Sequence, residues 1–315
     1  MIKQEILQDT LVYTMENEHL RVSLAPTLGN NLFRVYDKTA KREVLLVPDS
    51  MDSLVKAPGH SGTPLMFPPN RVRNGAFHFR GRDYQLEINT PEGHHIHGFL
   101  RNHPWKVTDS GQQGQVSFIK STFAFAEHPD ILKQFPHAVI IEMTYVLEGP
   151  TLAQKVKIIN HSNAPIPAAF GLHTWFRLDD EPEKWTLELP VTAIWELDKE
   201  NMPTGKLLPL GEYEALASTG MNLKGLNLDT VFQIGDKGRE AVLRKDDYEL
   251  RYQISDLYKH WVIYTRGEAK DIICLEPYTW VTNAPNLDLD PSVTGIIGVE
   301  PGKAIDLEVT LVVNG

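Results

Sequence analysis

"AVIIEMTYVLEGPTLAQKVKIINH", residues 138–161, decides how this chain is read. Two runs rich in Val, Ile, Thr and Tyr flank Gly149-Pro150. Successive side chains on a strand point to opposite faces, so alternating apolar residues closed by a turn predict two antiparallel strands. The same signature recurs outward in both directions. "FHFRGRDYQLEI" (77–88) predicts two short strands around Gly81-Arg82, and "KVTDSGQQGQVSFIKSTF" (106–123) predicts a pair turning between Gly111 and Gly114. "WTLELPVTAIWEL", "AVLRKDDYELRYQIS", "HWVIYTR" and the closing "IDLEVTLVV" continue the pattern. The best short helix is "DILKQF" (130–135). Many strands without long crossover helices predict an all-β fold, a large antiparallel β-sandwich.

The chain has 315 residues, 42% hydrophobic and 23% charged, which is enough to bury a large core. No Pro/Ser-rich linker or internal repeat divides it, so the expectation is one domain over residues 1–315. The formal net charge is −10 and the cations are scattered, which argues against a nucleic-acid partner. A single cysteine, Cys274, excludes an intrachain disulfide and a four-cysteine zinc site. No stretch approaches the roughly 20 apolar residues of a membrane span. The opening "MIKQEILQDTL" has no signal-peptide run, so the expected location is cytoplasmic. "VPDSMDSLVKAPGHSGTPLMFPPN" (47–70) reads as a long loop over a sheet end, where sites tend to sit.

Four histidines crowd "HHIHGFLRNHPW" (94–105). If this piece is extended, His95 and His97 share a face. A cupin-like His-x-His metal site needs a carboxylate after a gap of three or four residues, but Arg101 and Asn102 stand there. No His-Glu-x-x-His motif occurs either, so no metal is expected, and His94, His95 and His103 read as structural. In "AAFGLHTWFRL" (168–178) a strand puts Phe170, Leu172, Thr174 and Phe176 on one face and Gly171, His173, Trp175 and Arg177 on the other. His173 is then either a satisfied interior histidine or part of a concave polar surface. In "DIICLEPYTWVTNAPN" (271–286), Glu276 ends an apolar run. A carboxylate there is costly unless it is paired or functional. Desolvation would raise its pKa towards neutrality and suit a general base, while backbone amides or an arginine would equally satisfy it. Tyr278 and Trp280 either stack on a ligand or fill the core. Asn70, Arg71 and Arg73 in "NRVRNGAF" suit hydroxyls, anions or surface salt bridges. Asp229 in "LNLDTVF" is a turn carboxylate or a hydroxyl acceptor.

Taken in order, Asn-Arg before a hairpin, His-Gly, a strand His, Asp-x-x-Phe and Cys-Leu-Glu resemble the aldose 1-epimerase (galactose mutarotase) family. The similarity runs from about "APTLGNNLFRVYD" to "PGKAIDLEVTLVV". It implies a galactose mutarotase-like supersandwich that interconverts the α and β anomers of an aldose without a cofactor. It also implies Glu276 as general base, His173 as general acid and His97 as a second active-site histidine. Arg71 and Asp229 match sugar-binding positions. Trp175 and Arg101 are expected among the substrate-binding residues, and Trp105, Trp175, Tyr278 or Trp280 supplies an apolar wall for the sugar. The galactose mutarotases usually have "HGG" and "LET" where this chain has "HGFLRNHPW" and "LEPYT". Those features look closer to the hexose-6-phosphate mutarotase branch, in which Arg71, Arg73 and Arg101 are candidates for a phosphate clamp. Such a clamp needs two separate loops to meet, so a neutral aldose or short saccharide is expected as substrate, and the protein is expected to be a monomer or homodimer. Acid and base are expected on opposed sides of the sugar ring. A non-catalytic sugar sensor would need no matched acid and base. A glycoside hydrolase would need two carboxylates about 5–10 Å apart and would leave the histidines without a role.

Overall fold

A computed structural model describes residues 1–236 and 238–315. The strand pair read from 138–161 forms Val139–Glu148 and Thr151–Asn160, in unbroken register from Val139 opposite Asn160 to Glu148 opposite Thr151. Val116–Ala124 and Ala304–Asn314 flank the pair within a nine-stranded sheet. An eight-stranded sheet has Asn227–Ile234, His260–Glu268 and Ile272–Tyr278 at its centre, and the first strands of the chain make a five-stranded sheet. Every strand pairing among the described residues is antiparallel. The architecture is the all-β sandwich expected, and "DILKQF" lies within the helix Pro129–Gln134 and its C-cap, Phe135. No helix among the described residues is long and apolar enough to cross a membrane.

Alternation explains the packing. Ile141, Met143, Tyr145 and Leu147 are fully buried, and the residues between them are more exposed. They share one core with Leu172, Phe176, Trp261, Ile263, Ile273 and Leu275 of the eight-stranded sheet. Each such side chain contributes about 1.5–3 kcal/mol when removed from water. One polar contact crosses the interior, where Thr174 Oγ1 lies 2.7 Å from the Tyr252 hydroxyl.

Two local expectations change. The 168–178 run is split at His173 into Gly171–Leu172 and Thr174–Arg177, although its two faces are as read. Residues 94–97 are not extended throughout. The strand is only His95–Ile96, and His97 turns away with φ +64°. Gly98 follows at φ +62°, where a Cβ would collide with the Phe67 carbonyl. His95 and His97 therefore do not share a face. The Pro/Gly-rich stretch 47–70 contains a helix, Met51–Lys56, which begins at a Ser50–Ser53 capping box.

Candidate active site

The site is built on three successive cross-strand rows on the outer face of the eight-stranded sheet. Asp229 faces Tyr264, Tyr264 faces Cys274, and Cys274 faces Trp175. In the next row Val231 faces Val262, and Val262 faces Glu276. Thr174 pairs with Leu275 and Gly171 with Tyr278, so continuing either register sets His173 directly opposite Glu276. The third row is Gln233, His260, Tyr278 and Gly171. Directly opposed Cβ atoms in such a ladder lie about 5 Å apart, which brings two side chains into contact. Here His173 Nε2 stands 3.2 Å from Glu276 Oε1.

Loops wall the resulting cavity of about 290 Å³. His60 comes from the 47–70 stretch, Arg71 from the following short strand, and His97 and Arg101 from the 94–105 loop. His97 meets His173 edge to face, with ring centroids 5.3 Å apart. His173 stacks on Trp175 at 4.9 Å, and the Arg266 guanidinium covers Trp175, 4.9 Å from the ring centre. Trp175 is itself fixed by its indole N–H donating to the Gly59 carbonyl at 3.0 Å. Asp229 is exposed at the rim.

Burial controls the electrostatics. It pushes the Glu276 carboxyl well above the usual carboxylate range, with Asp229 adding to the rise while Tyr278 and Arg71 oppose it. Burial takes the His173 imidazole down to about 3, and Arg101 adds to that. His97 is held well below its ordinary value by burial and then by Arg101. Desolvation disfavours charge on either member of the His173–Glu276 pair, so the two titrate as a coupled pair. The Nδ1 atoms of His97 and His173 and Nε of Arg101 are buried without a hydrogen-bond partner among the described residues.

All seven residues expected to contact substrate or catalyse line this cavity: Glu276, His173, His97, Arg71, Asp229, Trp175 and Arg101. One expectation about their arrangement is corrected. His173 and Glu276 are neighbours on one side of the cavity and are not opposed across it. The chemistry accommodates this, because the hydroxyl and ring oxygens of a hemiacetal sit on the same carbon. Arg73 lies outside the cavity, neutralised by Asp198 at 2.5 Å and Glu200 at 2.6 Å, so it is not free to clamp a phosphate. Trp105 and Trp280 are core residues, and Tyr278 lies beneath Glu276 with its hydroxyl on the carboxylate. Sequence reasoning left His60 and Tyr264 unassigned. His60 was signalled only by its Gly/Pro-rich loop, and Tyr264 by its alternation with core positions in "HWVIYTR".

His94 accepts from the Asn74 N–H at 3.2 Å, and His95 Nδ1 lies 2.8 Å from the Glu87 carbonyl. His103 spans the Phe99 carbonyl and Asp130, each at 2.8 Å. His173, Cys274 and Glu276 do bring three ligand-type atoms within 4.8 Å of one another. They fit a metal poorly, because burial drives the Cys274 thiol far above its ordinary value and a metal needs the thiolate. A larger groove of about 630 Å³ runs along the N-terminal strands. Its charges satisfy one another, as Arg21 and Lys38 do with Glu16, and it holds no matched acid and base.

Comparisons with known proteins bear on the fold and the family. A galactose mutarotase-like protein from Clostridium acetobutylicum superposes with a TM-score of 0.95 at 24% identity, covering 100% of this chain and 98% of that one. Galactose 1-epimerase from Lactobacillus acidophilus NCFM does so with a TM-score of 0.77 at 17% identity, over 100% and 99% of the two chains. The uncharacterized protein YihR of Escherichia coli K12 is 22% identical over 267 residues, which is 82% of this chain and 80% of its own. The family model described as aldose 1-epimerase matches residues 11–311, and by that match the chain belongs to the aldose 1-epimerase family.

Proposed function

We propose that the protein is an aldose 1-epimerase that opens and recloses the ring of a sugar by proton transfer through Glu276 and His173. The observation that carries this reading is the contact of His173 Nε2 with Glu276 Oε1 at 3.2 Å on the floor of a polar cavity. Glu276 takes the proton from the C1 hydroxyl, and His173 delivers one to the ring oxygen as the C1–O5 bond breaks. The aldehyde rotates about C1–C2, and closure runs with the roles reversed, so no net proton is gained or lost. Such a pair is suited to neutral pH because the surroundings push the two groups towards sharing one proton. His97 hydrogen-bonds near the ring oxygen, Arg71 and Asp229 hold hydroxyls, and Trp175 with His173 limits how the ring can lie. None of these steps draws on a cofactor.

A second reading concerns the substrate. Arg101 lines the cavity with its Nε buried and unpartnered, and no carboxylate pairs with its guanidinium among the described residues. A buried cation without a counter-charge favours a ligand that brings one, so a sugar with an anionic substituent competes with a neutral aldose. Two-dimensional exchange NMR across glucose, galactose, glucose 6-phosphate and glucuronate tests both readings. Enzyme-dependent α–β exchange on any of them is the expected result, and none on all four would remove the epimerase reading. A preference for the anionic sugars that Arg101→Ala abolishes would establish the second.

A further inference from the structure

The two carboxylate oxygens of Glu276 have different neighbours. Oε1 faces His173, while Oε2 accepts a hydrogen bond from the Tyr278 hydroxyl. Tyr278 is two residues further along the same strand, so both side chains leave the same face of the sheet. Its ring is fully buried over Gly171, its cross-strand partner, where a Cβ would stand 2.5 Å from the ring. Glycine there gives the ring room to lie. Among the described residues the hydroxyl has one other partner, Met66 Sδ, a weak acceptor at 3.9 Å. The phenolic hydrogen is thereby committed to Glu276.

We propose that Tyr278 is the positioning residue of the site, pinning Oε2 of Glu276 so that Oε1 is presented to His173 and the sugar. This rests on the reading of Glu276 as the base. A buried carboxylate with no donor is more readily protonated and free to rotate among orientations, and a charge-assisted hydrogen bond opposes both. The ionisable groups around Glu276 are His173, Tyr278, Asp229, Arg71, Cys274 and Tyr264. Of these, Tyr278 alone makes a hydrogen bond to Oε2. Its donation lowers the carboxyl pKa against the rise caused by burial.

Tyr278→Phe removes the hydroxyl and keeps the ring. The expected result is a kcat roughly ten- to a hundredfold lower with KM little changed, because a charged hydrogen bond is lost. The acid limb of kcat/KM should also move up by about one to two pH units, since loss of the donor raises the carboxyl pKa. Replacing Tyr278 by 3-fluorotyrosine, a stronger donor on the same frame, should move that limb down. Infrared titration of the Glu276 carboxyl band, identified by subtracting Glu276→Gln, should show the same opposite shifts without any turnover. That readout keeps this inference testable even if no sugar is exchanged and the epimerase reading falls. Wild-type kcat with an unmoved band in Tyr278→Phe would overturn it, as would lost activity with neither the limb nor the band displaced.

Discussion

The eight-stranded sheet has two faces made by the same strands, and they differ in how their polar groups are treated. On Ile272–Tyr278, Ile273 and Leu275 enter the core between the sheets, while Cys274, Glu276 and Tyr278 point to the cavity side. Burial does not distinguish them, because all five are no more than 2% exposed. The chemistry of the unpaired atoms does. On the core side Thr174 meets Tyr252 at 2.7 Å, and the atoms left unpaired include the neutral Trp261 Nε1, Ser121 Oγ and Gln154 Oε1. Around the cavity, His173, His97 and Arg101 each leave a buried polar atom without a partner. An unmade buried hydrogen bond costs on the order of 1–3 kcal/mol, so this face carries a cost that a polyhydroxylated ligand can offset. One buried polar residue far from the cavity is fully engaged. Asn160, the start of an Asn-His-Ser sequon, donates to the Ala164 and Val299 carbonyls and accepts from Ser162, which makes it a structural clasp.

The largest expected effect lies on the cavity face. His173→Asn and Glu276→Gln keep side-chain shape but remove proton transfer, and each should slow anomer exchange by roughly 10²–10⁴. Glu276→Gln should not weaken folding. The native carboxyl pKa is raised, so the stability it contributes is present at low pH and lost as pH climbs through that raised value. The Gln variant should therefore melt higher than wild type above that pH and no lower below it. Melting below wild type at neutral pH would count against a functional cost at this position.

On the core face the balance is inverted. Leu275→Ala should cost about 2–5 kcal/mol of stability, measured by denaturant titration, and leave exchange per folded molecule close to wild type. A hundredfold loss of turnover in a well-folded Leu275→Ala protein would break the division between faces. The smallest effect is expected at Arg73, whose ion pairs with Asp198 and Glu200 are about one-third exposed. Arg73→Ala should change stability by about 1 kcal/mol or less and leave exchange untouched, on phosphorylated and free sugars alike. Selective loss on the phosphorylated sugar would show that the arginine leaves its carboxylates to serve the site.

The same contrast sets what could be read in advance. Strand alternation exposed the core and both faces of 168–178, because burial leaves a period of two in the sequence. Motif order pointed to Glu276, His173, His97, Arg71 and Asp229, and the fold brings these to one cavity with Trp175 and Arg101. Alternation does not state register, so the direct opposition of His173 and Glu276 was not legible and they were expected apart. Nor does a motif reveal which arginine has a counter-charge. Arg73 and Arg101 look alike in the sequence, yet one is neutralised by carboxylates 125 and 127 residues away and the other is left unpaired in the cavity. Whether 94–97 is extended was not legible, because a left-handed residue before Gly98 leaves no compositional trace. Tyr278 was legible as aromatic and buried, but its hydrogen bond depends on the space left by Gly171 on another strand.

The central claim is that His173 and Glu276 work as one proton-transfer unit. A double-mutant cycle on anomer exchange, read by NMR line shapes on the best substrate, measures this directly. Groups that act as a unit lose their contribution once. The double variant His173→Asn/Glu276→Gln should therefore exchange no more slowly than the worse single variant, within about threefold. Losses that multiply would contradict the shared-proton account, and wild-type exchange in either single variant would contradict the assignment of the pair altogether.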